Sequence, residues 1–142
     1  VNGGSQGGAL ALACAALEPK IKKAAVMYPF LSDFQNELET GETRGAYIEL
    51  KEYFRRFDPR HEREAQIFNK LGYIDIKNLA HRITAEVLMF TGLQDESCPA
   101  AGQYAVYNNL NCKKRHILYP EYGHEFLSGA ADMVWKFFLE VQ

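Results

Sequence analysis

Apolar and polar positions follow two alternating patterns along this chain, and their order predicts an α/β fold. Short apolar runs that suit buried strands lie within residues 21–28, 85–92 and 115–119. Segments with helical spacing occupy residues 9–17, 100–110 and 126–140. Because strands and helices alternate, we expect a mostly parallel sheet with helices on both of its faces.

The segment from about residue 30 to residue 72 interrupts this alternation. It is rich in charged and aromatic residues, has helical spacing and lacks a strand pattern, so it predicts a helical insertion. We expect three helices in this insertion. The third should start at Asp58 and Pro59, because proline suits the first position of a helix.

The first eight residues, VNGGSQGG, place Ser5 at the centre of a Gly-x-Ser-x-Gly sequence. A nucleophile elbow has this form: a strand ends, the backbone turns sharply, and a helix begins. We expect the apolar, alanine-rich helix that follows to be buried against a flat surface until Pro19 ends it. The alternative is a glycine-rich turn before an ordinary helix, because the five-residue pattern alone is common.

Composition narrows the class of protein. Among 142 residues, 47% are hydrophobic and 24% are charged, which is ordinary for one soluble globular domain. A net charge of -2 offers no basic surface for nucleic acid, and no apolar run has the length of a membrane span. Cys14, Cys98 and Cys112 are too few and too scattered for a disulfide framework or a metal knuckle. We expect them to be buried or half-buried in a reducing compartment.

Only Val1 and Asn2 precede the elbow, although an elbow needs a strand in front of it. We therefore expect residues 1–142 to be the C-terminal portion of a single domain whose N-terminal strands lie outside this sequence. The helical insertion at about 30–72 belongs to that same domain.

Candidate catalytic residues follow the predicted strands. Ser5 lies at the elbow, Asp95 after the second complete strand, and His124 after the last strand. The carboxyl ends of parallel strands meet at one edge of a sheet, and the order Ser–Asp–His is that of the α/β-hydrolases. Serine needs an imidazole to take its proton, and the imidazole needs a carboxylate to orient it. The backbone N–H of Gln6 would contribute to an oxyanion hole, since it follows the nucleophile.

Other residues could fill these roles. For the acid, Glu96 is the nearest rival of Asp95. For the base, the chain offers three further histidines, but only His124 occupies a glycine-flanked loop between a strand end and a helix. Those three are His61 on a charged helix, His81 on a turn, and His116 within a strand.

Five segments of the chain resemble the acetyl xylan esterase / cephalosporin C deacetylase family, carbohydrate esterase family 7. They are GGSQGG at 3–8, YPFLSDF at 28–34, YFRRFDP at 53–59, GYID at 72–75 and YPEYGHE at 119–125. The resemblance extends over essentially the whole chain, and it is more specific than the elbow alone.

The resemblance implies an α/β-hydrolase that deacetylates xylo-oligosaccharides and other small acetyl esters without a metal or other cofactor. By motif, Ser5, Asp95 and His124 match the nucleophile, acid and base of the family. The family is usually cytoplasmic and often forms a homo-hexamer, so we expect a small acetylated carbohydrate, and neither nucleic acid nor a membrane, as partner. The early strands of the family, an Arg-Gly-Gln motif and the tyrosine that supplies a second oxyanion donor have no counterpart here.

Two alternatives remain open from the sequence. One is another α/β-hydrolase, such as a peptidase or a dienelactone hydrolase. The other is a truncated, non-catalytic piece that acts in assembly or interaction.

Overall fold

The structure is a computed structural model that describes residues 1–30, 32–40 and 45–140, and at Ala46 it describes the backbone alone. Within these residues the strands are β1 (Asn2–Gly4), β2 (Lys23–Met27), β3 (Glu86–Gly92) and β4 (Lys114–Tyr119). The helices are α1 (Gln6–Leu17), α2 (Phe34–Glu39), α3 (Ile48–Phe57), α4 (Glu64–Leu71), α5 (Ile76–Leu79), α6 (Ala100–Asn109) and α7 (Ala130–Leu139). Short 3₁₀ turns lie at Gly45–Tyr47 and Ala80–Arg82.

The described strands form one parallel sheet in the order β1-β2-β3-β4. One face packs on α1, α5 and α6 through residues such as Leu12 and Met89. The other face packs on α7, where Phe90 meets Phe137. All residues of β3 are buried, as expected for an inner strand covered on both faces. The prediction of a parallel sheet flanked by helices is therefore confirmed.

Helix α1 is buried on one side only. Its small residues face the sheet, whereas Leu10 is 55% exposed and Leu17 is 63% exposed. The prediction that this helix is buried all round is therefore wrong for its outer side. The expectation for the cysteines is also wrong at Cys14, which is exposed on that side, while Cys98 is buried and Cys112 is partly buried.

Two predicted helix starts are wrong, each because a local turn takes precedence. Helix α4 begins at Glu64, since the carboxylate of Asp58 accepts the backbone N–H groups of Glu62 and Arg63 at 3.0 and 2.8 Å and holds a turn there. Helix α7 begins at Ala130, after a glycine in the left-handed region. Between β2 and α5 the described residues are helical or irregular, and residue 31 and residues 41–44 of the predicted insertion lie outside the described part.

A buried polar chain crosses from β4 to the loop after β3. The Thr91 hydroxyl donates to Gln103 Oε1 at 2.7 Å, so its oxygen accepts from His116 Nε2–H at 2.8 Å. The Gln103 amide nitrogen in turn donates to the carbonyl of Cys98. Burial lowers the pKa of His116 to about 4. In the described residues, no helix is long and apolar enough to span a membrane.

We predict that His116 makes folding stability sensitive to acid. Above pH 6.5 the imidazole is neutral in both states, but between about pH 6.5 and 4 the unfolded chain binds a proton that the folded chain does not bind. The free energy of unfolding should therefore fall more between pH 7 and pH 5 in the wild type than in His116→Gln. Urea denaturation at both pH values measures this difference. His81→Gln, which removes an exposed imidazole, should keep the wild-type fall, and an equal fall in His116→Gln would contradict the prediction.

Candidate active site

Ser5 lies on a strained turn between β1 and α1. Its backbone has φ 54° and ψ -127°, a region that residues other than glycine rarely adopt. A Cβ on Gly3 would lie 2.2 Å from the carbonyl oxygen of Gly7, so the close approach requires glycine. Two backbone hydrogen bonds fix the turn: Ser5 N–H donates to Met27 C=O at 3.0 Å, and Phe30 N–H donates to Ser5 C=O at 3.1 Å. This geometry is that of a nucleophile elbow.

Asp95 and His124 form a hydrogen-bonded pair. His124 Nδ1 lies 2.9 Å from Asp95 Oδ2, and since a carboxylate only accepts, the imidazole N–H donates. The other carboxylate oxygen accepts the backbone N–H groups of Ser97 and Cys98 at 2.9 and 2.7 Å. The Asp95 side chain is fully buried, whereas the His124 side chain is 30% exposed. The acid is thus held rigidly, and the imidazole faces solvent.

Two loops that leave neighbouring strands hold this pair together. Leu93 N–H donates to Tyr119 C=O at 3.0 Å, and Gln94 N–H donates to Tyr122 C=O at 2.9 Å. A Cβ on Gly92 would lie 2.5 Å from the carbonyl oxygen of Tyr122. The end of β3 therefore needs glycine for the two loops to approach, and their approach brings the carboxylate and the imidazole into contact.

The thiol of Cys98 lies close to both the hydroxyl and the imidazole. Its sulfur is 3.7 Å from Ser5 Oγ. Ligand atoms of Asp95, Cys98 and His124 all lie within 4.8 Å of one another. Burial, which outweighs the contact with Ser5, raises the pKa of the Cys98 thiol to about 12, so the thiol is protonated at neutral pH.

Tyr28 packs against the imidazole from the end of β2. Its ring centroid lies 4.5 Å from that of His124, with the planes tilted by 54°. Its φ of 36° is unusual for a bulky residue. Burial raises the pKa of Tyr28, and the nearby charge of Asp95 raises it further, so the phenol keeps its proton. A strained backbone thus presents a neutral ring to His124.

Gln6 is the first residue of α1, so its backbone N–H has no acceptor within the helix. A cavity of about 290 Å³ adjoins it, lined by Ser5, Gln6, Phe30, Gly45, Ser97 and Cys98. A larger cavity of about 590 Å³ shares Gln6 and Phe30 and continues along α3 and α4. The turn therefore opens onto space that a small molecule can fill, with the free end of a helix beside it.

The structure brings the predicted residues to one edge of the sheet. Asp95 and His124 are in direct contact, and the sulfur of Cys98 lies near both this pair and Ser5 Oγ. Glu96, the rival acid, is exposed on the same loop. The other histidines belong to different surroundings: His61 stacks on Phe54, His81 lies on a 3₁₀ turn, and His116 belongs to the polar chain.

Sequence reasoning missed three residues of this site. Gly92 ends β3, Cys98 follows Asp95 on the next loop, and Tyr28 follows β2 as Asp95 follows β3. Their positions after strands were a usable signal, because side chains at the carboxyl ends of parallel strands converge. Nothing in the sequence, however, indicates that a thiol or a phenol ring at these positions contacts the predicted triad.

We predict that Gly92→Ala destabilises the fold by about 1–3 kcal/mol, because the added methyl overlaps a backbone oxygen that has little room to move. Urea denaturation at pH 7 measures the change. Gly7→Ala is the matched control, since its Cβ meets nothing within 4 Å and should leave stability equal or slightly higher. Equal midpoints for Gly92→Ala and wild type would show that the two loops can separate without cost.

Comparisons with known proteins agree on one family. The sequence profile of the acetyl xylan esterase (AXE1) family matches residues 1–141. Acetyl esterase Axe7A of Xylanibacter ruminicola is 33% identical over 137 residues, which cover 95% of this chain and 29% of that protein.

Two solved structures share the fold closely. Acetyl xylan esterase 1 from Thermoanaerobacterium sp. JW/SL YS485 is 52% identical with a TM-score of 0.95, covering 98% of this chain and 44% of that one. The acetyl xylan esterase from Paenibacillus sp. R4 is 44% identical with a TM-score of 0.91, covering 95% of this chain and 42% of that one. The chain thus spans less than half the length of these relatives. The resemblance noted from the sequence is confirmed: this chain belongs to the acetyl xylan esterase family and has the α/β-hydrolase fold.

Proposed function

We propose that this chain carries the catalytic residues of a serine carboxylesterase that removes acetyl groups from small acetylated molecules. Acetylated xylo-oligosaccharides and cephalosporin C-like esters are the substrate classes we propose. The observation that carries the proposal is the contact between His124 and a buried Asp95 beside the strained elbow of Ser5. Membership of the acetyl xylan esterase family supports it.

In the proposed reaction, Ser5 Oγ attacks the acetyl carbonyl carbon while His124 Nε2 takes the hydroxyl proton. The tetrahedral oxyanion accepts a hydrogen bond from the backbone N–H of Gln6. When the ester bond breaks, the imidazolium gives its proton to the departing sugar oxygen. The acetyl group stays on Ser5. Water activated by His124 then releases acetate and regenerates the serine. Asp95 keeps Nδ1 protonated throughout and stabilises the imidazolium.

The proposal requires a direct hydrogen bond between the imidazole and the hydroxyl, whose present side-chain contact is with Cys98. The His124 side chain is 30% exposed and has room to move, whereas the buried Asp95 carboxylate is fixed by two backbone N–H groups. Catalytic hydrogen bonds are often long before substrate binds and shorten in the complex.

The sizes of the two cavities suit an ester substrate with a small acyl group and a larger alcohol. The cavity of about 290 Å³ beside Ser5 would take the acetyl group, and it lies near the lower size limit of ligand pockets. The larger cavity presents the rings of Phe30, Tyr47 and Tyr53, which suit the apolar face of a sugar. We propose that residues of the helical segment thereby select the alcohol part of the substrate.

Replacing the nucleophile tests the mechanism. In the full-length protein that carries this chain, Ser5→Ala should lower kcat for hydrolysis of an acetylated xylo-oligosaccharide by about 10⁴-fold or more, because no group remains to be acylated. Release of acetate measures the rate. Ser128→Ala, which removes an exposed hydroxyl elsewhere, should keep wild-type activity. Similar rates for Ser5→Ala and wild type would remove the mechanism.

Tyr28 provides a second test, because it acts as a positioning residue through its ring. Tyr28→Phe keeps the ring that packs on His124 and should stay near wild type, whereas Tyr28→Leu should lose roughly 10- to 100-fold in kcat/KM. Steady-state kinetics on one acetyl ester compares the two variants. The loss should lie mainly in kcat, since the misplaced group is the base. Equal losses in both variants would instead assign the effect to the phenol hydroxyl.

A further inference from the structure

We infer that Asp95, Cys98 and His124 form a binding site for a thiophilic divalent cation such as Zn²⁺ or Cd²⁺, and that an ion bound there stops the reaction. The blocking half of this inference rests on the proposed function, while the binding half does not. The ion would be an inhibitor, and the mechanism proposed above has no step that uses it.

The geometry brings three ligand atoms of different chemistry together. The carboxylate oxygen, the thiol sulfur and an imidazole nitrogen lie within 4.8 Å of one another, and the carboxylate and imidazole are 2.9 Å apart. A tetrahedral Zn²⁺ with bonds of about 2.0–2.3 Å holds its ligand atoms about 3.3–3.8 Å apart, so side-chain movements of about 1 Å complete the site. The mobile partner is His124, since the Asp95 carboxylate and the Cys98 backbone N–H are joined at 2.7 Å.

The ligand set selects the kind of ion. One sulfur, one imidazole nitrogen and one carboxylate oxygen suit Zn²⁺ and softer ions, whereas Mg²⁺ and Ca²⁺ prefer oxygen ligands throughout. Binding replaces the S–H bond of Cys98 by a metal–sulfur bond and releases the proton to water. The imidazole binds the ion through Nδ1, the nitrogen that faces the carboxylate, and the proton of Nδ1 moves to Nε2. Three protein ligands leave a fourth position to water.

Metal binding and catalysis exclude each other because they use the same groups. With Nδ1 bound to the ion, Nε2 carries the imidazole proton and cannot accept the proton of Ser5. The carboxylate oxygen that the ion takes is the one that orients His124. An ion at this position would also lie against the hydroxyl of Ser5, whose oxygen is 3.7 Å from the Cys98 sulfur.

The site has an access path in spite of its depth. Cys98 is 1% exposed, but it lines the cavity of about 290 Å³ together with Ser5. The side chain of His124 is itself 30% exposed. An ion can therefore reach the thiol without unfolding of the loop after β3.

Cadmium absorption tests the binding half without any change at the site. The full-length protein with Cys14→Ser and Cys112→Ser keeps Cys98 as the one cysteine of this chain; any cysteine outside the chain is replaced in the same background. Addition of Cd²⁺ should produce an ultraviolet thiolate-to-metal charge-transfer band that saturates at one ion per chain. The further change Cys98→Ser should abolish the band and weaken binding, measured by calorimetry, by at least about tenfold. Absence of a band in the background protein would overturn the inference.

Probe labelling tests the blocking half. Zn²⁺ should slow phosphonylation of Ser5 by a fluorophosphonate in wild type and in Cys14→Ser, and a chelator should restore it, while Mg²⁺ should have no effect. Labelling that proceeds unchanged when the site is saturated with Zn²⁺ would overturn the claim that the ion stops the reaction. A protein that reacts with no probe even without metal would remove the proposed function, and the cadmium band would still decide the metal site.

Discussion

The hydrogen bond between Asp95 and His124 depends on the parallel arrangement of β3 and β4. Because the two strands run in the same direction and in register, their loops leave from the same edge of the sheet and pair through backbone hydrogen bonds. The carboxylate is further fixed by two backbone N–H groups. A single strained residue, Ser5, then brings the hydroxyl to the same edge from β1. The positions of these side chains therefore depend on the edge of the sheet more than on any one loop.

Much of this arrangement could be predicted from the sequence, because it follows from strand ends. The apolar runs identified the inner strands, and Ser5, Asp95 and His124 each follow a strand or an elbow pattern. Helix starts were harder to predict, because they depend on local hydrogen bonds and backbone angles. The Asp58 carboxylate holds a turn before α4, and a glycine in the left-handed region precedes α7. The same holds for Cys98 and Tyr28: their contacts depend on distances across the sheet edge that periodicity does not encode.

Burial has two consequences at this site. It removes water from the carboxylate of Asp95, which strengthens its hold on the imidazole. It also keeps the thiol of Cys98 protonated, so that sulfur beside the serine is neither a competing nucleophile nor a charge. A thiol buried in this position keeps its proton unless a soft metal ion displaces that proton and binds the sulfur.

The polar chain from His116 through Thr91 and Gln103 ends on the carbonyl of Cys98. It connects β4 to the loop that carries Asp95 and Cys98. Substitutions at positions 91, 103 and 116 should therefore shift this loop from a distance, so redesign of the sheet edge has to keep these three hydrogen-bonding side chains.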